Sequence, residues 1–141
     1  MSATSDPPRH HINVVADDVT AAIAFYSKVF RASAVQSGSP GCSEIPISES
    51  IVLDVIAKGA RPLDEVTLPS ERGPRMELVV DDVDDWVQGF LSEGAKLVVA
   101  LAPGSDGVLH RVSLEESPTY VHVRDPFGYL WAIAMSKVTE P

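Results

Sequence analysis

The chain of 141 residues contains one local pattern twice, and this repeat constrains the fold more than any single residue does. Residues 12–26 read INVVADDVTAAIAFY, and residues 76–90 read MELVVDDVDDWVQGF. At an offset of 64 residues, the Asp-Asp-Val at 17–19 falls on the Asp-Asp-Val at 81–83. Each copy carries an apolar strand pattern, this junction and a helical stripe in the same phase. A chance match of two strand-to-helix junctions is the alternative, and we favour a duplicated unit because the helix phase also matches.

Apolar periodicity predicts two helices and eight strands. Each helix follows an Asp-Asp pair, 17–18 or 81–82, because short carboxylate side chains accept the free amide hydrogens of a first helical turn. Gly94 is a plausible stop for the second helix. The alternating or continuous apolar runs that predict strands lie at 10–16, 34–36, 42–47, 51–57, 75–80, 97–101, 119–124 and 129–135. Pro46 indicates an edge strand or a bulge, and residues 102–107 indicate a loop.

The length favours one domain, since each half alone has too few short elements for a stable core. Residues 1–9 are predicted to be a disordered tail, and 10–137 a single domain. Module one covers about 10–58, and module two about 75–137. The connector at about 58–74 is rich in Pro and Gly, which are typical of linking segments.

Composition and charge exclude several classes of function. The net charge of −9 repels phosphate backbones, so no nucleic-acid partner is expected. No apolar run approaches the ~18–20 residues that span a bilayer, so no membrane partner is expected. We see no secretory signal. Cys42 is the only cysteine, which rules out an intrachain disulfide and suits a reducing compartment. The sequence therefore predicts a cytoplasmic protein.

Four strands place polar residues on the face opposite to their apolar side chains, because successive side chains of a strand point to opposite faces. If this face is flat, it is simply solvated; if the sheet is curled, the polar residues line a cleft. Periodicity alone leaves both alternatives open. The polar residues concerned are His11, Asn13, Asp54, Arg75, Glu77, Tyr120, His122 and Arg124.

The paired strand-Asp-Asp-helix units resemble those of the vicinal oxygen chelate superfamily, which includes glyoxalase I, bleomycin-resistance proteins and extradiol dioxygenases. The most specific segment is RDPFGYLWAIA at 124–134, and DPFG followed by an aromatic residue is similar to the PhnB-like branch. The Asp-Pro-x-Gly also has a direct physical reading as a tight turn between two strands. The resemblance covers residues 10–135, nearly the whole chain.

The resemblance implies an α+β fold of two βαβββ modules, each a curled mixed sheet or half-barrel around a cleft. It therefore favours the cleft over the solvated face, and it makes the eight polar residues above the candidate ligand-binding set. It also implies a homodimer. Half-barrels leave sheet edges that need a cover, which agrees with dimer formation.

The superfamily commonly holds a divalent metal through His or Gln, Glu, His and Glu, one from each of four strands. Position by position, the resemblance places His11, Asp54, Arg75 and Ala132 at these sites. Arginine stays protonated and alanine has no donor atom, so two ligands are missing. We expect no metal and no other cofactor. If a metal (Zn, Ni, Mn or Fe) is bound, His11 and Asp54 would hold it, and an off-register set from His10, His11, Glu77 and His122 is an alternative.

Three hypotheses of function follow. The first is a metal-independent protein that binds or sequesters a small molecule in the cleft between modules, as bleomycin-resistance proteins do. The alternative is a glyoxalase-type lyase or isomerase, or a dioxygenase-like enzyme, with a non-standard metal-ligand set. The third is a structural or regulatory dimer whose cleft is filled by side chains. No catalytic residue can be named.

Individual residues also have simpler interpretations. Arg75 and Arg124 are expected to pair with an anionic or oxygen-rich part of the ligand, although Arg75 could instead form a salt bridge with Glu77. An inward-facing Asp54 needs a hydrogen-bond donor, for which these two arginines are candidates. Trp86 and Trp131 are expected to be core residues.

Overall fold

The computed structural model describes residues 9–36, 38, 40–62, 66, 68–69 and 73–136. Residues 1–8 of the predicted tail, parts of the predicted connector (63–65, 67, 70–72) and residue 137 lie outside the described residues. The chain divides into two compact units, Met1–Leu68 and Pro69–Pro141. The single domain and its module boundaries stay predictions.

The first unit is a four-stranded mixed sheet with one helix. Strand β1 pairs in parallel with β4, and β4, β3 and β2 pair antiparallel, in the order β1-β4-β3-β2. Parallel neighbours need a long crossover connection, which the helix and the two intervening strands supply. The elements are β1 (His10–Ala16), α1 (Val19–Phe30), β2 (Val35–Gln36), β3 (Cys42–Pro46) and β4 (Ile51–Ala57).

The second unit repeats this plan and adds one strand. Its sheet order is β5-β9-β8-β6-β7, with β5 parallel to β9, so β5-β9-β8-β6 corresponds to β1-β4-β3-β2. The elements are β5 (Met76–Val80), α2 (Val83–Ser92), β6 (Lys96–Pro103), β7 (Leu109–Arg111), a 3₁₀ turn (Leu114–Glu116), β8 (Tyr120–Arg124) and β9 (Leu130–Met135). Two open mixed sheets, each with one helix, confirm the α+β fold class.

The repeat is confirmed at the helix caps. The carboxylates of Asp18 and Asp82 accept hydrogen bonds from the amides of Ala21 and Asp85, each at 3.0 Å. The first aspartate of each pair was also expected to cap, and this is wrong. Asp17 lies 3.6 Å from the ammonium of Lys58, and the carboxylate of Asp81 accepts from the Ser136 hydroxyl at 2.7 Å. The second aspartate of each pair is the N-cap residue, directly before the helical turn whose amides need acceptors. Its side chain alone is therefore sufficient to cap the helix.

Each helix packs its apolar stripe against its own sheet. In α1 the buried residues include Phe25, Tyr26 and Phe30, and Ile45 and Leu53 of the sheet are fully buried. Trp131 is fully buried in the second unit, with its ring centroid 6.1 Å from that of Phe90 on α2. The prediction of a core role for Trp131 is therefore confirmed. Trp86 is only half-buried, so its prediction as a core residue is wrong; it lies at the margin of the α2 stripe.

The largest error of the sequence prediction is near the middle of the second unit. Strand β6 continues to Pro103, whereas residues 102–107 were predicted to form a loop, and β7 was not predicted at all. All three β7 residues are exposed, so the strand carries no alternation of buried and exposed side chains. Its pairing with β6 is a tertiary effect that the local sequence does not encode.

Among the described residues, no helix is both long enough and apolar enough to cross a lipid bilayer.

A buried carboxylate organises the predicted Asp-Pro-Phe-Gly turn between β8 and β9. Asp125 is 4% exposed and accepts hydrogen bonds from the amides of Phe127 (2.9 Å) and Tyr129 (3.0 Å) and from Nε1 of Trp131 (2.9 Å). Gly128 has φ +96°, the left-handed conformation that favours glycine. One side chain thus fixes both the turn and the largest core residue.

Replacing Asp125 with Ala should destabilise the protein by about 3 kcal/mol, because buried N–H groups would lose their acceptor. Urea unfolding followed by tryptophan fluorescence measures this. Asp106→Ala is the matched control: Asp106 also accepts hydrogen bonds in a turn, from Val108 and His110, but it is exposed and should matter much less. Equal losses in the two variants would contradict the assigned role.

Candidate functional site

The polar face of the first unit is assembled by strand register. Asp54 of β4 lies directly between Asn13 of β1 and Glu44 of β3, and all three side chains point to the same side of the sheet. His11 lies on this side as well, two residues before Asn13. The structure therefore brings together the three predicted site residues of this unit, His11, Asn13 and Asp54.

His11 and Asp54 form the closest contact on this face. The Nδ1 atom of His11 is 3.0 Å from both carboxylate oxygens of Asp54. The Asp54 side chain is 13% exposed and that of His11 is 46% exposed. A nearly buried carboxylate needs a donor, and His11 provides one within the same unit. Asp54 therefore has a donor that the sequence prediction, which named Arg75 and Arg124, did not include.

Glu44 is the residue that sequence reasoning missed. Its carboxylate joins His11 and Asp54 in a group whose three potential ligand atoms all lie within 4.8 Å of one another. Glu44 is half-buried and directly opposite Asp54 in an antiparallel pair. The sequence places Glu44 on the same strand face as Cys42 and Pro46. This position indicates a site residue only once the register of β3 against β4 is known.

The polar face of the second unit has the same register with different residues. Ala132 of β9 lies between Glu77 of β5 and His122 of β8. The imidazole Nε2 of His122 is 3.0 Å from the hydroxyl of Tyr120, and the two ring centroids are 5.0 Å apart. Three predicted site residues, Glu77, Tyr120 and His122, are therefore brought together on one face.

Burial and charge shift the protonation of this group. Partial burial lowers the pKa of His122 below its ordinary value, and the carboxylate of Glu77 opposes this by favouring the imidazolium. Burial also raises the pKa of Tyr120, and Glu77 raises it further. At neutral pH the pair is therefore an uncharged imidazole beside an uncharged phenol, and it can both donate and accept hydrogen bonds.

The two arginines of the predicted set lie in different surroundings. Arg124 donates from Nη1 to the carbonyl oxygen of Gly128 at 2.8 Å, so it supports the turn before β9. Arg75 immediately precedes β5, and its backbone amide bonds to the carbonyl of Leu130. Partial burial lowers the pKa of Arg75, and Tyr129 opposes this shift; a guanidinium still stays charged. Among the described residues, no ion pair joins Arg75 to Glu77.

His10 of the off-register metal set does not join either group. It is exposed, and its backbone amide bonds to the carbonyl of Ser50 at 2.8 Å. Among the described residues, the one group of three or more potential metal ligands that lie together is His11, Glu44 and Asp54.

The sequence profile of the Glyoxalase/Bleomycin resistance protein/Dioxygenase superfamily matches residues 9–133. The chain therefore belongs to this superfamily, as the repeated units and the Asp-Pro-Phe-Gly segment indicated. None of the curated proteins matches the chain in sequence.

Solved structures share the fold at low sequence identity. A glyoxalase/bleomycin resistance protein/dioxygenase family enzyme from Burkholderia phytofirmans PsJN is 20% identical, covers 89% of this chain and 95% of its own, and has a TM-score of 0.65. TioX from Micromonospora sp. ML1 is 17% identical over 92% of this chain and 98% of its own, with a TM-score of 0.62. A glyoxalase/bleomycin resistance protein from Catenulispora acidiphila is 20% identical over 93% and 100%, with a TM-score of 0.58.

The four-ligand metal centre of the superfamily does not fit the donor set of this chain. The positions of the third and fourth ligands carry Arg75 and Ala132. A guanidinium has no free electron pair, and the Ala132 side chain is a fully buried methyl group. No chemical step can therefore be assigned to a metal held by these four positions.

The opposing effects on His122 can be tested directly. In an NMR titration of the histidine side chains, the midpoint of His122 should lie below the ordinary value of 6.5. In Glu77→Gln the midpoint should fall further, because the carboxylate that stabilises the imidazolium is gone while the burial remains. A midpoint at or above 6.5, or one that rises in the variant, would contradict the assignment.

Proposed function

We propose that this protein binds a small molecule without a metal, and that it holds or sequesters this ligand as bleomycin-resistance proteins do. The observation that carries the proposal is the polar face of the second unit. There Glu77, Tyr120 and His122 surround Ala132, at the position where a metal-binding member would carry a carboxylate ligand. This face carries polar groups although Arg75 and Ala132, at the third and fourth ligand positions, offer no metal donor.

The chemistry of this face favours a ligand with both an anionic or oxygen-rich group and a hydrogen-bonding group. Arg75 supplies a permanent positive charge, and a guanidinium recognises carboxylates in a bidentate geometry. Tyr120 and His122 supply a pair that can donate or accept, because both are neutral at pH 7. The proposed binding set extends to the other predicted residues, which are His11, Asn13, Asp54, Glu77 and Arg124.

The role of Arg75 is tested by ligand-observed NMR with a library of aromatic carboxylates and their matching carboxamides. Carboxylates should bind in preference, and Arg75→Gln should raise their dissociation constants about tenfold or more, because a hydrogen bond to a charged group is worth roughly 1.5–3 kcal/mol. Arg111→Gln removes the same charge from the exposed strand β7 and serves as the matched control. Chelation with EDTA should leave binding unchanged.

Two outcomes would reject this proposal. Equal affinity of Arg75→Gln and the wild type would remove the anion-binding role. A large loss of thermal stability without a change in affinity would show that Arg75 is structural.

A second candidate is a glyoxalase-type lyase or isomerase that uses a non-standard metal-ligand set. The convergence of His11, Glu44 and Asp54 favours it, since three protein ligands and an open position are typical of catalytic metal sites. Loss of small-molecule binding or turnover after chelation, with recovery upon addition of the metal, would favour this candidate over the first.

The remaining expectations belong to the same proposal. We propose a homodimer in the cytoplasm and a place in the PhnB-like branch, on the strength of the Asp-Pro-Phe-Gly segment. Sedimentation analysis of the purified chain tests the dimer.

A further inference from the structure

We propose that the first unit binds one divalent first-row transition-metal ion through His11, Glu44 and Asp54. This site shares His11 and Asp54 with the ligand positions of the superfamily and differs from its metal centre in two respects. It takes every protein ligand from one unit, and it uses a carboxylate of β3, a strand that contributes no ligand to the four-strand pattern. The proposal goes beyond the metal-independent binding proposed above, in which Arg75 of the second unit recognises the carboxylate, and it gives His11 and Asp54 of that binding set a second role.

The distances fit an ion with small side-chain movements. The three potential ligand atoms lie within 4.8 Å of one another, and His11 Nδ1 is 3.0 Å from both oxygens of Asp54. Nitrogen and oxygen ligands bound at about 2.0–2.2 Å to one ion are roughly 3–4.4 Å apart. Small rotations of Glu44 therefore close the group around an ion.

The register of the strands brings the three side chains together. Glu44 and Asp54 are directly opposite each other in the antiparallel pair of β3 and β4. Side chains in such a pair have Cβ atoms about 4.5–5.5 Å apart, and like charges in these positions destabilise the sheet. His11 lies on the neighbouring strand, diagonal to Asp54. A cation between the two carboxylates would convert their repulsion into attraction.

The described residues provide no strong positive charge for these carboxylates. Among the described residues, no Lys or Arg forms an ion pair with Glu44 or Asp54. The basic side chain that contacts Asp54 is that of His11. With a neutral imidazole the group carries two negative charges. The partial burial of Asp54 and Glu44 weakens the screening of these charges by water, which strengthens the attraction for a dication.

The donor types determine the class of ion. One imidazole nitrogen and two carboxylate oxygens suit Mn²⁺, Fe²⁺, Ni²⁺ and Zn²⁺ better than Ca²⁺, which prefers six to eight oxygen ligands. Three protein ligands leave at least one coordination position for water or for an oxygen of a bound molecule. The exposure of His11 gives the ion a path from solvent.

The test uses the full chain, dialysed against EDTA and then freed of the chelator. Isothermal titration with MnCl₂, NiCl₂ and ZnCl₂, each alone, should show one ion per chain for at least one of the three metals. Glu44→Gln should weaken binding of this metal at least tenfold, which is the low end of losses measured even for residues that only support metal ligands. Glu49→Gln, an exposed residue of the β3–β4 turn with the same change of charge, should bind like the wild type.

A second readout localises the ion. Substoichiometric Mn²⁺ should broaden the NMR signals of His11 and leave those of His110 sharp, although His110 also lies beside a carboxylate, that of Asp106, at 3.1 Å. Asp54→Asn should abolish the broadening at His11, and circular dichroism shows whether this variant is folded. Because Glu44 is half-buried, its variant remains informative if Asp54→Asn does not fold.

The proposal is overturned if none of the three metals binds the wild type. It is equally overturned if Glu44→Gln binds as tightly as the wild type, if Glu49→Gln loses as much affinity, or if the broadening is centred on His110. Failure of these measurements would leave carboxylate binding by the second unit untouched, so the two proposals are tested separately.

Discussion

The parallel pairing of the first and last strands in each unit is the constraint on which the other features depend. β1 lies beside β4, and β5 beside β9, so residues that are 41 positions apart in the first unit and 55 in the second become neighbours. Such a pair cannot be joined by a hairpin, and the helix crosses over between them. The crossover in turn requires that each helix begins immediately after its strand, which the N-cap carboxylates of Asp18 and Asp82 ensure. Without this pairing His11 and Asp54 would not be in contact.

The two faces of the units share a backbone arrangement and differ in chemistry. Asp54 and Ala132 occupy equivalent central positions, one a carboxylate and the other a methyl group. Around Asp54 the donors converge within reach of one ion, whereas around Ala132 the carboxylate of Glu77 and the neutral pair of Tyr120 and His122 remain. Membership of the superfamily accounts for the shared arrangement. It does not determine the chemistry, which depends on the particular side chains at these positions.

Much of the fold could be predicted from the sequence because its strongest signals are local. The Asp-Asp-Val junctions, the helical stripes and the Asp-Pro-Phe-Gly turn each act over fewer than about twenty residues, and the structure contains all of them. The features that were missed depend on partners that are distant in sequence. Glu44 became a site residue only through its register with β4, and β7 exists only through its pairing with β6. Trp86 was misjudged for a related reason, because periodicity gives the direction of a side chain and not the width of the surface that covers it.

The hydrogen bonds of Asp125 connect the conformation of a turn to the packing of the core, two features that usually depend on separate interactions. The same carboxylate that accepts from the turn amides accepts from the indole of Trp131, six residues further along. A hairpin in the wrong alignment would place the indole where it cannot reach this acceptor. Misalignment would then leave a buried N–H group without its hydrogen bond, in addition to disturbing the pairing of the strands. Leu130–Ile133 are all buried, so the apolar pattern of β9 does not distinguish its two faces, and this polar contact favours the correct alignment of the last two strands.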